Sequence, residues 1–254
     1  MNYNEAAKML VEKGFYDTKI KAFDAEPIRA ALAEFMNRPI AERLPFLQKQ
    51  IDSVFDGYSF QGQTDSLNQG ADDLVYTFVL SEFTEASKFP VEFQSFLNQE
   101  FKAISKSLSK LEKHLEKELQ LPINHAQVGH MVSCNFYPAQ GENVHPLLLS
   151  EHPDVSLFTI FPFGVDAQLE YEGHGIWKSF PASDTMVILS GFFAETISEG
   201  RIKALNHRVK ARAKNNLERF SFAFFSIPAP KQKFTHLNET FFTEDYFKSY
   251  IALF

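Results

Sequence analysis

The sequence predicts a mainly β protein with flanking helices, its strands arranged as a sandwich or jelly roll. Three observations lead there. Up to Leu121 the apolar residues recur mostly at steps of three and four, the period of helices. After Pro122 the period drops to two, in eight short runs parted by turn signals. The chain has 254 residues and 28 Phe, enough for one domain with a thick aromatic core. A single domain over residues 1–254 is expected, divided at about 121 and 230 into a helical region, a strand-rich core and a C-terminal helix.

Residues 4–13 read as a short helix that stops before Gly14. A second follows Asp24, with Pro27 in its first turn and Ile28, Leu32, Phe35 and Met36 facing inward. Pro39 ends it, and a third helical piece is expected at 41–50. Gly, Asp, Asn and Ser then mark loops around a short strand at 74–80. From Phe93 to Leu119 the apolar positions form one stripe of a long helix whose outer face is rich in Lys and Glu. The eight strand-like runs are 130–137, 146–150, 155–161, 168–171, 176–180, 185–189, 202–209 and 220–227, with no helical crossover among them. A last amphipathic helix is expected around 241–254.

Net charge is −7, which favours solubility and opposes nucleic acid or an anionic membrane as partner. A single cysteine, Cys134, excludes a disulfide framework and any multi-Cys zinc site. The N-terminus lacks a basic stretch followed by an apolar run, and no uncharged stretch reaches membrane-spanning length. A cytoplasmic protein is expected.

Four strings in the strand-rich half carry chemistry: CNFYP (134–138), EHPD (151–154), LNHRV (205–209) and ERFS (218–221). His152 and Asp154 are two apart, so on extended backbone they share a face. Pro153 between them places the pair at a strand end or edge. A second imidazole, His207, follows late in the same half. Two His and one carboxylate on one side of a metal, with the other side open, is the arrangement of non-haem Fe(II) oxygenases. Spacing alone leaves the bland reading open, because 8 His and 32 acidic residues give about one His-x-acid match by chance. His114-Leu115-Glu116 on the long helix is such a match, read as solvated surface.

Arg219 and Ser221 are also two apart on one strand face. A guanidinium fork grips a carboxylate bidentately, and a hydroxyl beside it adds a directional bond. Asn135 and Tyr137 share that spacing, while Cys134 points the other way as a packed thiol. Alone, Arg219 better suits a surface ion pair with Glu218 or another acid, and Tyr137 a core aromatic with its hydroxyl at the rim.

Taken in order, Asn-x-Tyr-Pro, His-x-Asp, His-Arg-Val and Arg-x-Ser closely resemble the isopenicillin N synthase-like family of 2-oxoglutarate/Fe(II)-dependent oxygenases. The separations between motifs fit that family, and Thr159, Trp177, Gly191 and Gly200 resemble its intervening landmarks. Gly57-Tyr58 and the long helix resemble its helical half. Pro153, Ser156 and Phe192 depart from its usual residues, and its opening strand has no clear counterpart. The resemblance implies a double-stranded β-helix (jelly roll, cupin-like) core. It implies Fe(II) held by His152, Asp154 and His207. Arg219 and Ser221 would grip the distal carboxylate of 2-oxoglutarate, helped by Tyr137 and Asn135. It also implies O2-dependent oxidation of a C–H bond in a small-molecule substrate, with succinate and CO2 as co-products. Phe161, Phe163, Phe192 and Phe193 are the expected substrate-pocket walls, and the C-terminal helix a lid. Two rivals stand beside this: a same-fold Fe(II) oxidase that does without 2-oxoglutarate, and a non-catalytic metal-binding jelly roll.

Overall fold

The structure is a computed structural model that describes residues 1–51, 55–63, 72–139, 145–212, 217–236 and 239–252. The chain begins with α1 (Tyr3–Lys13). The Asn2 side chain caps it by accepting from the Glu5 N–H, and Gly14 ends it at a left-handed φ of 76°. β1 (Phe15–Lys21), α2 (Glu26–Met36) and a short α3 (Ile40–Arg43) follow, then two 3-10 turns, Leu44–Phe46 and Gln48–Gln50. β2 (Gly57–Ser59) and β3 (Tyr76–Ser81) precede one long helical run. It consists of α4 (Val91–Phe96), a π-turn (Leu97–Phe101) and α5 (Lys102–Glu118). The second half contains β4 (Val128–Tyr137), β5 (Leu147–His152), β6 (Phe158–Phe161), β7 (Leu169–Gly173), β8 (Ile176–Ser179), β9 (Thr185–Ser190), α6 (Phe192–Ile197), β10 (His207–Lys210) and β11 (Arg219–Pro228). A hairpin of β12 (Lys233–His236) and β13 (Glu239–Phe242) leads into α7 (Thr243–Ile251).

Among the described residues, eleven strands form two antiparallel sheets. The larger runs β1-β9-β6-β11-β4-β3-β2 and the smaller β5-β10-β7-β8. Period two decides what each face does. On β4 and β11, Met131, Ser133, Asn135, Tyr137, Ser221, Ala223 and Phe225 line a cavity between the sheets. Their neighbours Val132, Cys134, Phe222 and Phe224 turn outward into the larger core under the helices. A smaller cluster, including Leu148, Phe161, Leu169, Val187 and Val209, closes the space between the sheets. This is the expected jelly roll with flanking helices.

The Phe surplus builds the helix-facing core. Phe35 of α2 is fully buried and meets Phe46, Tyr58, Phe78 and Phe93 at centroid distances of 4.9–6.1 Å, three of the four edge-on. The π-turn has a packing reason. Phe96 and Phe101 are five residues apart, and the widened turn lets both face inward, 6.2 Å apart and edge-on.

The structure departs from the sequence reading in several places. β1 pairs with β9 at one edge of the large sheet, and its exposed Lys-rich end masked its strand character. α6 interrupts the strand-rich half. The strand expected over 155–161 begins only at Phe158, because the backbone before it is engaged by the helices: Phe193 N–H donates to Ser156 O and Tyr246 OH to Val155 O. The strand expected over 202–209 begins at His207, since Glu195 takes the Ala204 N–H and Ser198 Oγ the Ile202 N–H. The final helix starts at Thr243 because the residues just before it pair as β13.

Glu116 is not surface either. It is buried and bonded to His125 at 2.7 Å, whereas His114 is exposed and stacks on Tyr3. Beside it Glu112, fully buried, meets His130 of β4 at 3.1 Å and ties α5 to the large sheet. Burial pushes the His130 pKa down, but the carboxylates of Glu112, Glu82 and Glu116 outweigh that and raise it.

Two outcomes follow. Phe35→Ala should lower unfolding stability by about 3–5 kcal/mol in urea titrations. A raised folded-state pKa stabilises fully below the unfolded value and is lost as pH climbs through the folded one. The stability gap between wild type and His130→Gln should therefore be full at about pH 6 and shrink as pH rises above the ordinary histidine range.

Candidate metal centre

The small sheet brings the two histidines together by register. His207 opens β10 and pairs across the ladder with His152, the last residue of β5. Their rings lie 4.6 Å apart between centroids. Asp154 follows two residues later, just beyond the strand, and its carboxylate turns back between them. His152 Nε2 is 3.8 Å from Asp154 Oδ1, and His207 Nε2 is 3.5 Å from Oδ2. One ligand atom from each residue lies within 4.8 Å of the others, and among the described residues this is the group able to hold a metal.

Three details fit a cation there. The other ring nitrogens are committed: His152 Nδ1 donates to Ser150 O at 2.7 Å and His207 Nδ1 to Leu205 O at 3.1 Å. That fixes both tautomers with an Nε2 lone pair facing inward. Asp154 is buried and its Oδ2 has no hydrogen-bond partner, a costly state that a bound cation relieves. Burial and the neighbouring His207 also hold the His152 pKa below its ordinary value, against the pull of Asp154, so it is neutral and ready to ligate.

The loop carrying Asp154 is gripped from outside the barrel. Phe192 N–H donates to Asp154 O at 2.7 Å and Phe193 N–H to Ser156 O at 3.0 Å. On the flanks, Tyr250 OH donates to Pro153 O at 2.9 Å and Tyr246 OH to Val155 O. Gly191 permits this approach, since a Cβ there would lie 2.1 Å from Ser156 O. Burial pushes both phenols up in pKa, keeping them protonated donors.

The opposing large sheet carries the second constellation. Arg219 and Ser221 on β11 stand opposite Tyr137 and Asn135 on β4. The Arg219 guanidinium lies 4.8 Å over the Tyr137 ring. It is 8% exposed and grips Asp166 in the β6–β7 loop, with Nε to Oδ2 at 2.8 Å and Nη2 to Oδ1 at 3.2 Å. Arg219 Nη1 is buried with no partner. Burial raises the Tyr137 pKa to about 12, although the neighbouring guanidinium opposes it. Burial also works against ionising Asp166, yet Arg219 prevails and holds that carboxyl below the usual range. Asn135 Oδ1 already accepts from Thr77 and Ser133 hydroxyls at 3.1 and 3.0 Å.

His152, Asp154, His207, Asn135, Tyr137, Ser221 and Phe161 all line one cavity, with Tyr250 at its edge. The other aromatic walls expected from sequence stand elsewhere. Phe163 packs on Phe222 and Phe224 and lines a second cavity beside Arg219. Phe192 stacks on Tyr246, and Phe193 is fully buried against Phe234 and Tyr246, because α6 turns both toward α7. Asp166, Tyr246 and Tyr250 were missed in the sequence. No local spacing links them to the motifs they serve.

Residues 128–228 match the 2OG-Fe(II) oxygenase superfamily. The chain is 29% identical over 218 residues to feruloyl CoA ortho-hydroxylase 1 of Arabidopsis thaliana, covering 81% of this chain and 59% of that protein. It is 35% identical over 101 residues to mugineic-acid 3-dioxygenase of Hordeum vulgare, covering 39% of this chain and 29% of that one. It thus spans under two thirds of the length of either relative. Among solved structures, the dioxygenase for auxin oxidation of rice aligns with a TM-score of 0.75 at 14% identity, over 99% of this chain and 90% of that one, a likeness of fold. The motif order and the shared architecture agree with the superfamily match over residues 128–228.

Proposed function

We propose that this chain is a non-haem Fe(II)- and 2-oxoglutarate-dependent oxygenase that oxidises a C–H bond of a small-molecule substrate, with succinate and CO2 as co-products. The observation that carries the reading is the inward-facing set of His152 Nε2, His207 Nε2 and the unpartnered Asp154 Oδ2. When bound by these three residues, Fe(II) supplies open coordination positions for the keto acid and O2. The protein's share is placement. Arg219 and Ser221 hold the distal carboxylate of 2-oxoglutarate, with Tyr137 beneath the guanidinium and Asn135 beside it. Phe161, Leu169, Val209 and Phe225 keep water away from the reacting atoms.

A net charge of −7 supports a small-molecule substrate rather than nucleic acid. Among the described residues no helix is long and apolar enough to cross a membrane. A cytoplasmic setting belongs to the same reading, and the buried Cys134 thiol suits a reducing compartment. One observation favours a second reading, a same-fold Fe(II) oxidase without 2-oxoglutarate: Asp166 already neutralises Arg219.

Succinate formation dependent on both Fe(II) and 2-oxoglutarate separates the two. Anaerobic addition of both to the protein should produce a visible metal-to-ligand charge-transfer band, and His207→Ala should abolish it. No band in the wild type would sink the proposal. Arg219→Ala should leave Fe(II) binding intact but weaken 2-oxoglutarate about 30-fold or more, the scale of truncating a buried charged anchor.

A further inference from the structure

Arg219 is not offered to a ligand freely. Its Nε edge is closed by Asp166, and its face is packed on Tyr137. Asp166 is itself held in place. Its Oδ1 also accepts the Gln168 N–H at 3.0 Å, and its carbonyl accepts the Leu169 N–H at 3.3 Å. Just before it Val165 is bridged to Ser183, and Gly164, at φ 83°, sits so close that a Cβ would lie 2.2 Å from Ser183 O. The side chain of Gln168 closes the arrangement by donating to Lys210 O at 3.0 Å. The loop therefore presents a fixed carboxylate to a long side chain that otherwise carries much rotamer entropy.

The donors left over are then determined. Nε and one edge of Nη2 are spent on Asp166, while Nη1 is buried without an acceptor. Ser221, two residues along the same strand face, lines the metal-side cavity and the neighbouring one that contains Arg219 and Asp166. The guanidinium is thus held in one orientation instead of being left a mobile cation. Pre-organisation of this kind gains affinity by removing the ordering cost of binding.

We propose that Asp166 is a positioning residue: it fixes the orientation of Arg219 and thereby makes the site select keto acids that bear a second, distal carboxylate. The inference rests on the 2-oxoglutarate reading above. It differs from a simple charge effect, which has the opposite sign. If Asp166 only neutralised Arg219, its removal would expose a buried cation and tighten the grip on an anion.

The test is anaerobic titration of the Fe(II)-loaded protein with 2-oxoglutarate and, separately, with 2-oxopentanoate, which has the keto-acid end and no distal carboxylate. The charge-transfer band reports binding. For Asp166→Asn, and for Asp166→Ala as the second variant, the 2-oxoglutarate Kd should rise about tenfold or more, the scale on which outer partners orient ligand groups. The 2-oxopentanoate Kd and the Fe(II) affinity should stay as in wild type. Tighter or unchanged 2-oxoglutarate binding in Asp166→Asn overturns the proposal, as does an equal loss for both keto acids, which marks general collapse of the site. A wild type that binds neither keto acid overturns the oxygenase reading itself, and this inference with it.

Discussion

A buried carboxylate with one oxygen left bare is the constraint on which the rest of this structure turns. Asp154 sits beyond the end of its strand, where no ladder bond holds it, and its Oδ2 has no partner. A charge in such a place is costly unless something nearby compensates it. The surroundings supply two imidazoles with their Nε2 atoms turned inward, and a backbone grip from four directions. On the proposed reading a ferrous ion completes the balance.

The two sheets divide the labour. The small sheet sets the imidazoles by direct register, and the large sheet faces them with the Ser221 hydroxyl and the Tyr137 phenol, with Arg219 beside these. Between them the period of two keeps polar and apolar side chains alternating across the cavity, while the opposite faces bury the aromatic core under the helices. Strand pitch thus holds together groups far apart along the chain.

Much of this was legible in the residues. His152 and Asp154, Arg219 and Ser221, and Asn135 and Tyr137 are pairs two apart on extended backbone, and a spacing of two is readable without any tertiary information. The long helix and the β-rich half were equally plain from their periods. What stayed hidden depends on tertiary contact. Asp166 meets Arg219 only because a loop folds back beneath β11, and Tyr246 and Tyr250 look like ordinary helix-face aromatics until they are seen against the Pro153 and Val155 carbonyls. β1 has little apolar alternation of its own and becomes a strand by pairing with β9. α6 is too short for a period to reveal it, and its Phe pair suggested a pocket wall where the fold instead needed packing.

The two phenols of α7 join the last helix to the segment that bears Asp154. Thermodynamic linkage makes such a tie reciprocal. Whatever steadies the carboxylate also favours docking of that helix, and whatever frees the helix loosens the carboxylate. In the proposed holoprotein, occupancy of the centre would therefore be communicated to an element 97 residues further along the polypeptide, whose resistance to proteolysis then rises and falls with the metal.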